Sequence, residues 1–384
     1  KSKWEECSGK NNPFLEYDFL WCLEESGSVG QNKGWIPQHI SMEYNNNIIA
    51  VAPLYIKLHS QGEYVFDHNW AYSYESAGGQ YYPKLQVSIP FSPVTGNRIL
   101  INNKCNQFKQ KDIIRSFGKI IEDKTKTFNL SSAHITFCTS NEAETLSEIG
   151  FLHRIGEQFH WQNSNYLDFN QFLTSLSSRK RKSINKEREY IKNSNVQILQ
   201  KTGNEISDSD WDHMFLFYQS TTNKKWGNAY LNREFFDLIA KTIKDKILLI
   251  LAKENGNIIA GALHIIGYNT LFGRYWGSLK DIKYLHFELC YYQAIDWAIR
   301  NKIKYVEGGA QGFHKVQRGY LPVQIHSSHF IKNADFKEAV NKFLIENSDL
   351  RHVVRRAFII EKFPYSEIQD NTIGKNIIPI DMLR

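Results

Sequence analysis

Two stretches of this chain repeat each other across a long interval. Asn47-Ile48-Ile49-Ala50-Val51-Ala52 returns as Asn257-Ile258-Ile259-Ala260-Gly261-Ala262, an offset of 257 − 47 = 210 residues. Each copy is followed by more β-prone sequence that ends at a tryptophan: Glu63 to Trp70 in the first, Thr270 to Trp276 in the second. A helical pattern then follows in each half, Asp112 to Glu122 and Phe287 to Arg300. Self-similarity at so long a period implies two related domains and not a solenoid. The competing explanation is chance likeness between short β-rich strings. A length of 384 residues agrees with two cores. The expected units are residues 1–164 and 165–384, with a boundary near Ser164.

The remaining elements follow from periodicity and turn residues. Phe14 to Glu25 reads as a helix, and Ile36 to Lys57 as strands joined by a turn at Asn45-Asn46-Asn47. Tyr81 to Gly96 holds Pro83, Pro90, Pro93 and Gly96 and reads as irregular. Ala133 to Cys138 is an expected strand, Glu142 to Glu148 a short helix, and Gln158 to Trp161 the last strand of the first half. The second half opens with one expected helix from Phe169 to Asn193, then helices Trp211 to Thr222 and Arg233 to Lys244. Three strands follow from Ile247 to Trp276, with a turn at Glu254-Asn255-Gly256-Asn257. Val323 to Ile331 is a strand and Phe336 to Ile360 a helix. The fold class expected is therefore α/β (α+β).

Composition narrows the function classes. Net charge is +7, a mild excess that permits a polyanionic partner without requiring one. The five cysteines are widely spaced and form no CxxC, which supports neither a disulfide framework nor a zinc site and suits a reducing compartment. The longest purely apolar run, Ile247 to Ala252, is far shorter than the ~20 residues of a membrane span. The expected location is the cytoplasm. Because the chain starts at Lys1 and not Met, an upstream targeting segment stays open. No Walker loop, no His-Glu-x-x-His and no nucleophile–base pair is visible, which argues against hydrolases, kinases and metalloproteases.

Three constellations carry candidate chemistry. From Arg179 to Arg188, six of ten residues are cationic, and on a helix Arg179, Lys182 and Lys186 share one face. With Arg181 they could hold phosphates of a donor; a solvated helix face is the plain alternative. In the helix from Phe287, Glu288 falls with Tyr292, Ile295 and Ile299 on the apolar side, while Leu289, Gln293, Asp296 and Arg300 are expected to face solvent. A carboxylate there suits a general base or an amine anchor, or simply a capping or salt-bridged residue. The third is Glu307-Gly308-Gly309 to Pro322, a short strand running into a glycine-rich turn that presents His314, Lys315 and Arg318. Glycines let backbone approach a ligand closely, and exposed N–H groups near Gly308 and Gly309 could stabilise an oxyanion. The clusters Lys224-Lys225-Trp226-Gly227 with Tyr230, and Phe159-His160-Trp161, add rings beside polar groups.

These motifs together resemble the FemAB-like predicted N-acyltransferases of the GNAT superfamily, the peptidoglycan biosynthesis or recognition type. The likeness includes Lys225-Trp226-Gly227, Phe272-Gly273-Arg274-Tyr275-Trp276-Gly277, Leu285 to Gln293 and Glu307 to Pro322. It extends to Ala52 to Ser60, Gly62 to Asp67, Tyr81 to Leu85 and Pro90 to Gly96 in the first half. Phe313 departs from the pattern, which usually has glutamate between Gly312 and His314. The resemblance implies two tandem GNAT-like acyltransferase domains, the second carrying most of the site. The candidate catalytic residues are Glu288, Glu307 and His314. The candidate substrate contacts are Lys315, Arg318, Trp226, Tyr230, Arg274, Trp276, Tyr292, His160, Asp67 and Lys84.

The expected activity is N-acyl transfer, in which an amine attacks an activated acyl or aminoacyl group. No metal or tightly bound cofactor is expected; the donor, aminoacyl-tRNA or an acyl-CoA or acyl carrier, is a co-substrate. The acceptor would be a small-molecule or peptide amine, such as a cell-wall precursor, and tRNA is a candidate partner. The rival is a non-catalytic recognition protein on the same duplicated fold.

Overall fold

The computed structural model describes residues 1–225, 229–309 and 313–346. Two compact units separate, Lys1–Lys337 and Glu338–Arg384. Among the described residues, all the strands lie in the first. The first half contributes Trp35–Pro37 (β1), Ile40–Tyr44 (β2), Asn47–Ala52 (β3), Leu54–Lys57 (β4), Lys84–Val87 (β5), Leu100–Ile101 (β6), Ser132–Cys138 (β7) and Leu152–Gln162 (β8). The second contributes Val196–Thr202 (β9), Ile247–Glu254 (β10), Asn257–Ile266 (β11), Thr270–Ser278 (β12), Tyr305–Glu307 (β13) and Leu321–Ile331 (β14).

The repeated hexapeptides occupy equivalent places. Tyr44 pairs with Asn47 and Glu254 with Asn257, so each hairpin turns on two residues. Both turn residues have positive φ in each case, Asn45 and Asn46 in one and Asn255 and Gly256 in the other. Such turns match the twist of the strands they join, which explains the asparagines and glycine. Each hairpin also carries a bulge, between Met42 and Glu43 and between Ala252 and Lys253, again 252 − 42 = 210 residues apart.

The two halves share one sheet of eleven strands, ordered β1-β4-β5-β7-β14-β8-β13-β12-β11-β10-β9. A second sheet holds β2, β3 and β6. At the centre the halves exchange their last strands. β14, from the second half, lies between β7 and β8, and β8 lies between β14 and β13. The exchange is pseudo-twofold. The Lys332 N–H donates to the Ser131 carbonyl at 3.0 Å, and the Asn163 N–H to the Lys304 carbonyl at 2.8 Å, at matching positions. By the same correspondence the pair Glu307 and His160 matches the pair His134 and His329, each pair drawing one residue from each half. The duplicated halves thus share one pattern of strands, and a cut at residue 164 leaves β14 inside the sheet of the first half.

An aromatic core crosses between the halves. Phe14 meets Phe272 edge-on at 5.2 Å, and Phe19 meets Phe235 at 5.8 Å. Each such pair adds about 0.5–1.5 kcal/mol beyond the area it buries. No helix among the described residues is long and apolar enough to cross a membrane.

Several elements differ from expectation. The helix expected over Phe169 to Asn193 is two, Phe169–Thr174 and Ser178–Lys192. Ser175 folds its hydroxyl back onto the Phe172 carbonyl, and Ser177 is extended, so the first helix stops. Tyr81 to Gly96 is not wholly irregular, because it contains β5, all four residues of which are buried. Leu289 is fully buried and not solvent-facing. The turn Glu288–Tyr292 is π-helical, and its extra residue per turn rotates the faces that a 3.6-residue period assigns. Of the helix expected over Phe336 to Ile360, residues 334–346 are helical and the remainder lies outside the described residues.

Candidate functional site

Glu307 ends β13, paired with Phe272 on one side and His160 on the other. β12 runs on to Ser278, yet its parallel pairing with β13 stops at Phe272 and Glu307. Beyond that point the chain stays with β8: Gly308 N–H donates to the Phe159 carbonyl at 3.0 Å, and Phe159 N–H to the Gly309 carbonyl at 3.1 Å. The two central strands therefore part at the Glu307 carboxylate. The Gly308 N–H is consumed in this ladder, so it is not free for an oxyanion as the sequence suggested.

The Thr95 hydroxyl donates to Glu307 Oε1 at 2.7 Å, and His160 Nε2 lies 4.0 Å from the same oxygen. Burial pushes the Glu307 carboxyl up to about 7, against the hydrogen bonds from Thr95 and the charges of Arg274 and Arg98. Burial, with the charge of Lys315, pushes His160 down to about 4, so the imidazole is neutral near pH 7. Its Nε2–H donates to Gln158 Oε1 at 3.0 Å. Lys315 is itself buried and donates to the Gly309 carbonyl at 3.2 Å. Burial lowers its ammonium to about 8.

The charge of Arg274 reaches this carboxylate, and Tyr230 joins Arg274 through Phe91. The Arg274 guanidinium donates to the Phe91 carbonyl at 2.7 Å, and its Nε is buried with no partner among the described residues. Tyr230 stacks on Phe91 at 5.0 Å and 10°. Trp276 lies further along β12, against His286 at 5.2 Å. Trp226 lies outside the described residues, and so does the side chain of Phe313.

Glu288, His314, Arg318 and Tyr292 belong to a neighbouring cluster built around a residue the sequence reading missed. Glu187, on the basic helix, receives Arg318 on both oxygens at 2.9 and 2.8 Å, and the Tyr292 hydroxyl as well. The Arg318 guanidinium covers the Phe287 ring at 3.5 Å and donates to the His314 carbonyl at 2.7 Å. His314 Nε2 meets the Tyr291 hydroxyl at 3.0 Å. Glu288 is held by Gln293 at 2.7 Å and Arg188 at 3.2 Å, and its Oε2 has no partner among the described residues. No hydrogen bond or ion pair joins Glu288 to Glu307. Glu187 was visible in one respect: it shares the stripe of Ile184 and Ile191, the buried face of an otherwise polar helix.

On the opposite face of that helix Arg179, Lys182 and Lys186 are exposed, with Arg181 half-buried. None of the four forms an ion pair among the described residues. Asp67 and Lys84 lie elsewhere, in a closed network inside the first half. Lys84 Nζ donates to Asp67 at 2.5 Å, Glu63 at 2.8 Å and Ser60 at 2.9 Å. The Tyr81 hydroxyl donates to Asp67 at 2.7 Å, and His134 Nδ1 meets His329 Nδ1 at 2.7 Å. Among the described residues no three His, Cys, Asp or Glu side chains converge as metal ligands.

A family model described as peptidoglycan biosynthesis/recognition, FemAB-like, matches residues 1–367. Among solved structures, FemX superposes with a TM-score of 0.56 at 10% identity, over 88% of this chain and 98% of that one. L-PGS from Bacillus licheniformis superposes with a TM-score of 0.51 at 11% identity, over 88% and 96% of the two chains. At these identities the likeness concerns the fold. No curated protein sequence matches the chain.

Proposed function

The chain belongs to the FemAB-like family, and from that premise we propose that it is an N-acyltransferase with Glu307 as its general base. The observation that carries this reading is a buried carboxyl, pushed up to about 7, at the point where β12 and β13 part. A base poised near the working pH can both exist as carboxylate and accept a proton. In the reaction, the acceptor amine attacks the acyl carbonyl carbon and loses a proton to Glu307. The bond from that carbon to the donor oxygen or sulfur then breaks, and the leaving group departs with a proton. Arg274, whose buried Nε has no partner among the described residues, suits an anionic group on a peptide or cell-wall acceptor, and Tyr230 offers it a ring. Lys315 and neutral His160 flank the reacting centre.

The donor's phosphates would lie along Arg179, Arg181, Lys182 and Lys186, on the helix whose buried face anchors Arg318 through Glu187. Aminoacyl-tRNA and acyl-CoA both present such phosphates. Glu288 and His314 wall the adjacent space in this reading, and Asp67 and Lys84 stabilise the first half. The proposed setting is the cytoplasm. Phe313, where the resemblance leads one to expect glutamate, favours the recognition reading instead. Transfer assays with both donors separate the two. Glu307→Gln should lower turnover by ~10²–10⁴, and the wild-type rate should climb with pH through about 7 as the carboxyl ionises. Full activity in Glu307→Gln would sink the assignment.

A further inference from the structure

The carboxylate of the second half is held by a loop of the first. Thr95 is 212 residues from Glu307 in sequence, yet its hydroxyl donates to Glu307 Oε1 at 2.7 Å. The loop carrying Thr95 is clamped to an unusual degree. Arg98, 0% exposed, points its guanidinium back into the loop: Nη2 donates to the Val94 carbonyl at 2.5 Å, and Nη1 to those of Gly96 at 3.0 Å and Asn97 at 3.3 Å. Its Nε donates to the Thr136 carbonyl on β7 at 2.8 Å. Asn12 holds the Thr95 carbonyl at 3.1 Å, and Gly96 N–H donates to the Phe137 carbonyl at 3.1 Å. Glu142 takes the backbone N–H groups of Arg98 and Ile99, both at 2.7 Å.

All the acceptors of the Arg98 guanidinium are main-chain carbonyls. A buried cation without a paired carboxylate costs several kcal/mol, and neutral residues could bridge a loop more cheaply. The carboxylates whose field reaches this cation are Glu142 and Glu307. Burial lowers its proton affinity only to about 10, so it stays charged near pH 7.

We infer that Thr95 and Arg98 are positioning residues for Glu307: Arg98 locks the loop, and Thr95 fixes and charges the carboxylate across the boundary between the halves. The inference rests on the general-base reading for its functional meaning, but not for its geometry. Other groups facing Glu307 are His160 on β8 and Arg274 on β12, with Lys315 beside His160. His160 is already neutral above about pH 5, so it does not confuse a titration near 7.

The test follows the Glu307 carboxyl directly, by carbon-13 NMR of the full chain labelled at glutamate, between about pH 5 and pH 9. Glu307→Gln identifies the signal. Thr95→Val should raise the Glu307 midpoint by about one pH unit, because a donor to the charged form is lost. Thr95→Ser should restore it. Arg98→Met should raise it too, and Arg98→Lys, which keeps charge without the fork, should fall between. A Glu307 midpoint that stays at the wild-type value in Thr95→Val overturns the inference, and that variant decides the matter even where Arg98→Met loses its fold. A shifted midpoint together with full activity in Glu307→Gln would leave this inference standing and remove the general-base reading instead.

Discussion

Replacing Lys84 with methionine isolates the electrostatics of the first-half network. The side chain is 0% exposed and bridges Glu63, Asp67 and Ser60. Methionine keeps most of the volume and removes the charge, leaving buried Asp67 without its lysine and buried Glu63 with Lys57 at 3.8 Å. Breaking a buried pair in this way costs about 3–5 kcal/mol. The pH dependence is the sharper signature. In the wild type, burial alone would raise Asp67, but Lys84 holds its carboxyl far below the ordinary range. That pair therefore contributes stability above the unfolded value of about 4, lost as pH falls below it. Glu63 behaves oppositely: burial pushes it up to about 7 despite Lys84, so its contribution declines as pH rises from about 4.5 toward 7. Removing Lys84 shifts both carboxyls upward. The deficit of the variant should thus be largest at pH 7–8 and smallest near about pH 4. Urea unfolding followed by the fluorescence of the nine tryptophans measures it. A Lys84→Met protein as stable as the wild type at neutral pH would refute the reasoning, as would a deficit equal at both pH values.

Charge reversal at Arg179 and Lys182 should weaken donor binding, because neither cation forms an ion pair among the described residues. If the donor is a tRNA, each lost phosphate contact should lower the slope of log affinity against log salt by about 0.7–0.9; binding that ignores both the reversal and the salt would reduce the face to a solvated surface. Residues 1–164 expressed alone should associate or precipitate, because without β14 the facing edges of β7 and β8 are unpaired. Co-expression with 165–384 should recover soluble protein, and a monomeric, folded 1–164 fragment would show that the strand exchange is dispensable.

The parts of this protein legible in its sequence are those with a local cause. The repeated hairpins were readable because a two-residue turn is specified by the asparagines and glycine that occupy it. The basic face was readable because six of ten residues from Arg179 to Arg188 are cationic and acidic partners nearby in the chain are few. Glu307 was one of three catalytic candidates, beside Glu288 and His314, because a short β-prone segment leads straight into glycines. Other features depend on partners far away. The segment holding β5 looked irregular because of Pro83, Pro90, Pro93 and Gly96, and its polar Lys84 and Gln86 are tolerable in a buried strand through distant Glu63, Asp67 and Thr136. The π-turn displaced Leu289 and Glu288 from a regular period, which the packing of the helix decides and its composition does not. The strand exchange and the Thr95 contact have no local signature, because a hydrogen bond across 212 residues leaves no pattern in either segment. The chain thus announces its hairpins and a short set of candidate carboxylates, while the strand exchange and the burial of polar side chains against remote partners determine what surrounds each of them.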